Sequence, residues 1–104
     1  MSQGSRRIAE GIQHQGEDEE VAYTLTTTNW GSSPSNVVVK AYHINNRYLE
    51  VSDTVLSGDA SITGDVITLP KLGNLVEGNR YRVEVQFKTG TDLLEAYFVV
   101  EAQR

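Results

Sequence analysis

The sequence predicts an all-β protein in which about seven antiparallel strands form a single β-sandwich. Side chains between residues 81 and 88 alternate strictly, with Tyr81, Val83, Val85 and Phe87 on one side and polar residues on the other. Such alternation is typical of a strand with one dry and one wet face. Turn-forming residues recur at roughly ten-residue intervals, and no segment shows convincing helical periodicity.

A regular spacing of three residues leads into this strand. Leu75, Gly78 and Tyr81 follow one another at three-residue intervals. This spacing resembles the tyrosine corner of immunoglobulin-like and fibronectin type III domains, where the tyrosine hydroxyl bonds to the backbone of the preceding connection. We expect Gly78 to permit a sharp turn with a positive φ. The predicted fold class is therefore an immunoglobulin/fibronectin-III-like sandwich with a tyrosine corner.

Length and composition restrict the class of protein. The chain has 104 residues, enough for one domain, and a net charge of −5. This charge argues against nucleic acid and anionic membranes as partners. The sequence has no cysteine, which excludes disulfides and thiol chemistry. No apolar run approaches the ~20 residues of a membrane span, and we expect no signal peptide.

The chain divides at about residue 20. Residues 1–20 are polar and glycine-containing, and we expect a flexible N-terminal arm with a short first strand near residues 8–13. An alternative is an arm that becomes ordered only against a neighbouring subunit. Residues 21–104 form the predicted sandwich. The acidic run at residues 17–20 is interpreted as a solvated entry to the next strand.

The remaining strands follow in order. Alternation or β-branched composition predicts strands near residues 21–26, 37–44, 48–51, 65–69, 81–88 and 93–101. Residues 52–65 are rich in Ser, Gly, Asp and Thr and predict short edge pieces and turns. The residues expected to face inward are Tyr23, Leu25, Val39, Ile67, Leu69, Leu75, Tyr81, Val83, Val85, Phe87, Leu94, Phe98 and Val100.

Patterns that carry catalysis or metal binding are not found in the sequence. His14 and His43 lie far apart and lack the short spacing of paired metal ligands. Serine, histidine and aspartate all occur, but without the Gly-x-Ser-x-Gly elbow of hydrolases. We therefore predict no catalytic residues, no metal site and no cofactor, and a protein that is not an enzyme.

Two groups of residues are candidates for protein binding. The first is Trp30 with Ser32, Ser33 and Asn36, in a loop where an exposed tryptophan serves as an interface anchor. The alternative for Trp30 is burial at one end of the core. The second group is an apolar patch of Tyr42, Tyr97 and Val99 on an outer sheet face, whose alternative is ordinary scattered apolar surface.

Several segments resemble a known group of proteins. Residues 12–17, 49–58, 60–69, 78–87 and 94–98 are similar to motifs of small phage- and provirus-encoded structural proteins with an immunoglobulin-like fold. These are usually called fibre–tail adaptor or head–tail proteins. His14 departs from the pattern, which has lysine there, so a contact made by that lysine does not transfer.

The resemblance implies a non-enzymatic virion protein that joins or decorates particles at the head–tail or tail–fibre junction. Its partners would be phage head, tail or fibre proteins, with self-association as a further expectation. It would be made in the host cytoplasm and reside in the virion. The alternative function is a carbohydrate- or cell-surface-ligand-binding module that uses Trp30 and Tyr48 as stacking platforms.

Overall fold

The computed structural model describes residues 6–7, 13–27, 33–47 and 49–103. Apart from one helical turn and one turn of 3-10 helix at Ile44–Asn46, these residues form strands and their connections. The elements in chain order are β1 (Arg6–Arg7), β2 (Gln13–Gly16), β3 (Val21–Thr26), β4 (Ser35–His43), β5 (Leu49–Glu50), α1 (Ser52–Val55), β6 (Leu56–Ser57), β7 (Ser61–Thr63), β8 (Val66–Leu72), β9 (Arg80–Thr89) and β10 (Asp92–Gln103). The described residues thus contain ten strand segments, where the sequence predicts seven strands.

The larger of two sheets is built around the β9–β10 hairpin. Its strand order is β1-β10-β9-β4-β5, with β2 also beside β10. β9 pairs antiparallel with β10 over the whole length of β9, from Thr89 opposite Asp92 to Arg80 opposite Glu101, and β10 continues to Gln103. Buried and half-exposed residues alternate along both strands, which is the pattern that the sequence predicts.

The N-terminal strands pair parallel to β10, so the prediction of a wholly antiparallel sandwich is wrong at this edge. β1 lies beside Ala96 and Tyr97, and β2 lies beside residues 100–103. Segments of the predicted arm therefore extend the large sheet. Of the expected first strand near residues 8–13, only Gln13 belongs to the described residues, and it begins β2.

The smaller sheet has β8 at its centre. β3 pairs with one side of β8, and β6 and β7 pair with different parts of its other side. The segment 52–65, expected to contain only edge pieces and turns, also contains the single helical turn α1. Val55 in this turn is buried, so the turn closes the core beside β6.

One hydrophobic core joins the two sheets. It contains Leu25, Ala41, Val55, Ile67, Leu69, Leu72, Leu75, Tyr81, Val83, Val85, Phe87, Leu94, Ala96, Phe98, Val100 and Ala102. Eleven of the thirteen residues expected to face inward are in this cluster, and the other two, Tyr23 and Val39, are half-buried against it. The Tyr23 and Phe98 rings, from opposite sheets, lie 4.9 Å apart between centroids.

The connection before β9 has the geometry that its spacing predicts. The Val76 N–H donates to the Tyr81 hydroxyl oxygen at 3.0 Å. Gly78 has a φ of +88°, a conformation that glycine adopts at little cost, and its N–H donates to the Ala102 carbonyl at 3.0 Å. Leu75 and Tyr81 are both buried in the core. This connection is therefore anchored to the core and to the end of β10.

A buried glutamine connects the N-terminal strand β2 to the small sheet. The Gln15 side-chain amide donates to the Leu72 carbonyl at 2.7 Å and to the Glu19 carbonyl at 3.0 Å. Its amide oxygen accepts a hydrogen bond from the Tyr23 hydroxyl at 2.8 Å. Burial raises the pKa of Tyr23 above its ordinary value of 10.0, and the Glu19 carboxylate adds to the rise. Gln15 thus holds β2 against both β3 and β8.

Candidate protein-binding surface

The side of the large sheet that faces away from the core, called here the outer face, carries most of the candidate binding residues. Strand alternation places on it Val38, Lys40 and Tyr42 from β4, Arg82, Glu84 and Gln86 from β9, and Glu95, Tyr97 and Val99 from β10. The pairing register arranges them in three rows across the strands: Val38–Gln86–Glu95, Lys40–Glu84–Tyr97 and Tyr42–Arg82–Val99.

Arg82 contacts both a carboxylate and an aromatic ring of the outer face. Its Nε lies 2.8 Å from Glu84 Oε2, and its guanidinium carbon lies 3.8 Å from the centroid of the Tyr97 ring. Only 21% of the Arg82 side-chain surface is exposed. A stacked and paired guanidinium loses little further conformational freedom when a partner binds, so it is a suitable interface contact.

Beside this cluster the outer face has a shallow depression. Its volume is about 150 Å³, and it is lined by Val38, Lys40, Tyr42, Glu84, Val85, Gln86 and Glu95. Two of the lining residues are joined by a hydrogen bond, since the Gln86 side-chain amide donates to Glu95 Oε2 at 3.3 Å. Pockets that enclose small ligands usually exceed ~300 Å³, so this depression is suited to a single side chain of a protein partner.

The structure brings only part of the predicted patch together. Tyr97 and Val99 are neighbours on the outer face of β10, while Tyr42 is two strands away, with Arg82 between it and Val99. All three are half-buried. The surface is therefore mixed aromatic and charged, and of the two alternatives that the sequence leaves open it is closer to scattered apolar residues than to one apolar patch.

The predicted loop group is described only in part. Trp30, Ser32 and Tyr48 lie outside the described residues. Ser33 and Asn36 are exposed and have φ values of +53° and +51°. The Ser33 N–H donates to Asp65 Oδ1 at 3.1 Å, which links this loop to the small sheet. Asn36 is six residues before Tyr42, or about 20 Å along an extended strand, so the two predicted groups occupy different ends of β4.

The two histidines have separate surroundings. His14 Nδ1 lies 2.9 Å from the Gln103 amide nitrogen and 3.5 Å from Glu101, whose other oxygen is 3.8 Å from Arg80. His43 stacks on Tyr81, with 5.4 Å between ring centroids. Across the part of the chain that the structure describes, no three His, Cys, Asp or Glu side chains are grouped as metal ligands.

Sequence reasoning did not identify Arg82, Glu84 or Lys40 as candidate binding residues. The alternation along 81–88 indicated that Arg82 and Glu84 face solvent, but many solvent-facing charges have no binding role. What distinguishes Arg82 is its contact with Tyr97 on another strand. That contact depends on the register between β9 and β10. The alternation of residues within one strand does not reveal this register.

A scan against protein-family models finds no match, and a search of curated proteins also finds none. Among the described residues no helix is long and apolar enough to cross a membrane.

Proposed function

We propose that the chain is a non-enzymatic protein-binding module with an immunoglobulin-like topology, which joins or decorates phage or provirus particles at the head–tail or tail–fibre junction. The observation that carries the protein-binding part is the Arg82–Tyr97–Glu84 cluster on the outer face. Arginine and tyrosine are enriched among residues that dominate binding energy at protein interfaces. Here they are held in one geometry before any partner arrives.

The immunoglobulin-like topology is supported by the order of strands. In such domains the third, sixth and seventh strands form one sheet, and the second, fifth and fourth lie in the other. The neighbours β10-β9-β4 and β3-β8-β6 have this arrangement if β3 is taken as the second strand of the fold. The hydrogen bond between Val76 and Tyr81 adds the corner that accompanies the topology. The N-terminal strands lie beside β10 rather than beside β3, which is a departure from the constant-type arrangement.

The phage role rests on the resemblance of residues 12–17, 49–58, 60–69, 78–87 and 94–98 to adaptor proteins. Many of these residues lie in the segments that build the corner, β7, β8 and β9. The resemblance therefore supports a shared scaffold, and the outer face supplies a surface through which that scaffold would bind other virion proteins.

The carbohydrate-binding alternative requires an aromatic ring with a free face. The Tyr97 ring has the Arg82 guanidinium 3.8 Å from its centroid, so that face of the ring is not open for sugar stacking. The two rings that the alternative names, Trp30 and Tyr48, are outside the described residues.

The two functions are distinguished by one pair of measurements. Particles purified from a strain that encodes the chain are analysed by quantitative mass spectrometry, and the purified chain is applied to a glycan array. We expect the chain to copurify with particles at a constant ratio to the major capsid protein across a density gradient. Absence from the particles, together with saturable binding to a glycan, would overturn the proposal in favour of the carbohydrate-binding alternative.

A further inference from the structure

One stretch of β4 has no strand beside it among the described residues. β5 pairs only with Tyr42 and His43, and Ala41 is bonded to Val51 and Ser52. At the other end of β4 the ladder with β9 shifts between Ser35 and Val38, where Asn36 has a positive φ. The open part of this edge is therefore residues 37–40.

The backbone of this stretch presents hydrogen-bonding groups to the open side. The Ala41 N–H donates to the Ser52 hydroxyl, and the Ala41 carbonyl accepts from the Val51 N–H, so both groups of Ala41 point away from β9. Backbone direction repeats every two residues along a strand. The N–H and carbonyl of Val39 therefore point to the same side, ready to pair with an added strand.

The side chains of this stretch indicate what an added strand would carry. Val37 and Val39 are half-buried against the core, so positions beside them would be apolar. Val38, on the outer face, is 46% exposed. Lys40, on the same face, is exposed and makes no ion pair within the described residues. Directly adjacent side chains on paired strands interact, and opposite charges are favoured.

We propose that residues 37–40 of β4 bind an extended segment of a partner protein as an added strand, and that this segment places a carboxylate side chain beside Lys40. Main-chain hydrogen bonds to Val39 provide the attachment, and the Lys40–carboxylate pair selects the sequence and register. This inference rests on the proposed protein-binding function and names one chemical feature of the partner.

The open edge of the small sheet at β3 is less suited to this role. β3 pairs with β8 on one side only, but its ladder is interrupted by a bulge between Ala22 and Thr24. Its exposed side chains are Ala22, Thr24 and Thr26, which offer neither a large apolar surface nor a charge. The β4 ladder also has a register shift, between Ser35 and Val38, so the side chains and not the bulge distinguish the two edges. We therefore assign strand addition to β4, because its edge carries Lys40, a charged side chain that can select the sequence of the added strand.

The test uses the full chain labelled with ¹⁵N and synthetic peptides of about eight residues, roughly the length of one strand. The peptides alternate valine and threonine and carry one central Glu, Lys or Leu. We expect the Glu peptide, at up to about 1 mM, to shift the amide resonances of residues 37–41 and to bind about five-fold tighter than the Lys peptide. The Lys40→Glu variant should reverse this preference.

A matched pair of variants tests the backbone contact. Val39→Pro removes the outward N–H while leaving the ladder with β9 unbroken, and Val39→Ala removes a similar part of the side chain but keeps the N–H. Binding of the Glu peptide should weaken at least about ten-fold in Val39→Pro relative to Val39→Ala.

Three results would overturn the inference: no shifts in β4 with any peptide, equal binding to both Val39 variants, or shifts confined to β3. In the first case Lys40 is a charge that guards the edge against strand addition. None of these outcomes depends on whether the chain copurifies with phage particles, so failure of this inference and failure of the proposed function are separate results.

Discussion

Gln15 shows how a single polar side chain holds two parts of this protein together. It is buried, and it satisfies the carbonyls of Leu72 and Glu19 and the hydroxyl of Tyr23 at the same time. A buried polar group is tolerated when its hydrogen bonds are made, and removing one partner leaves the others unsatisfied. Two of these bonds, to the Leu72 carbonyl of β8 and from the Tyr23 hydroxyl of β3, attach the N-terminal strand to the small sheet.

Replacing Gln15 should therefore destabilise the fold. We expect Gln15→Leu to lower the free energy of unfolding by about 2 kcal/mol, and Tyr23→Phe by about 1 kcal/mol, because the first leaves three groups unpaired and the second only one. Urea unfolding followed by circular dichroism measures both. Gln13→Leu, on the same strand, is the matched control and should change stability by less than about 0.5 kcal/mol. Equal effects of the two glutamine changes would contradict this role for Gln15.

The raised pKa of Tyr23 predicts a pH dependence at the alkaline end. A tyrosine whose pKa is higher in the folded than in the unfolded chain contributes stability that is complete below the unfolded value, near 10.0, and is lost as the pH rises toward the folded value. The free energy of unfolding should thus fall above about pH 10, and Tyr23→Phe should reduce this fall. Thermal unfolding across that pH range measures it, and an identical pH profile in the variant would count against it.

The hydroxyl of Tyr81 has a separate structural task, since it accepts a hydrogen bond from Val76 N–H. Tyr81→Phe keeps the ring in the core and removes only this acceptor. We expect a loss of about 1 kcal/mol in the free energy of unfolding. Tyr42→Phe, which changes a half-exposed ring on the outer face, is the control and should be nearly neutral. A neutral Tyr81→Phe would show that the corner does not need this bond.

At the scale of elements, the N-terminal strand β2 makes the sharpest prediction. β2 pairs with β10, and the Glu17 N–H donates to the Gln103 carbonyl. We therefore expect the amides of this region to be protected from exchange with solvent. In hydrogen exchange, we expect the bonded amides of β2 and Glu17 to exchange at least about 100-fold more slowly than in an unstructured peptide. Gly58 and Asp59 in the β6–β7 turn provide an internal reference. Exchange of β2 at the unstructured rate would mean that residues 13–17 are part of a flexible arm.

Strand patterns in the sequence predicted some elements well and others not at all. β9 and β10 were predicted because each alternates over most of its length with one buried face. The parallel pairing of β2 with β10 was not predicted, because alternation within a strand reveals neither its neighbour nor its direction. The burial of Gln15 was not predicted, because glutamine side chains are seldom buried. The turn α1 has four residues, too few to show a helical period.

The candidate site was predictable to a smaller extent than the fold. Tyr97 and Val99 were placed on one face by the alternation of β10, and the structure has them there. The charged side chains between them and Tyr42 depend on which residues of β4 and β9 are paired. That register is fixed by the whole set of core contacts, and no local motif encodes it.

At the scale of the whole molecule, the two sheets differ in what they present to solvent. The core lies between them, so each has one face turned away from the core. The large sheet presents Arg82 stacked on Tyr97 and paired with Glu84, next to a depression suited to one side chain. The small sheet presents the threonines of β3 and Lys71 of β8. This asymmetry leads to the claim that partners bind the outer face of the large sheet.

The most direct test of that claim compares charge reversals on the two sheets. Arg82→Glu changes the outer face, and Lys71→Glu is its matched control on the small sheet. Each variant, with its thermal unfolding temperature measured, replaces the natural chain during particle production, and its copies per particle are counted by mass spectrometry. If Arg82→Glu does not fold, Tyr97→Ala takes its place.

We expect the outer-face variant to be incorporated at least about ten-fold less than the natural chain, and Lys71→Glu to be incorporated normally. Normal incorporation of a folded outer-face variant, or loss only with Lys71→Glu, would contradict the claim that the outer face is the binding surface.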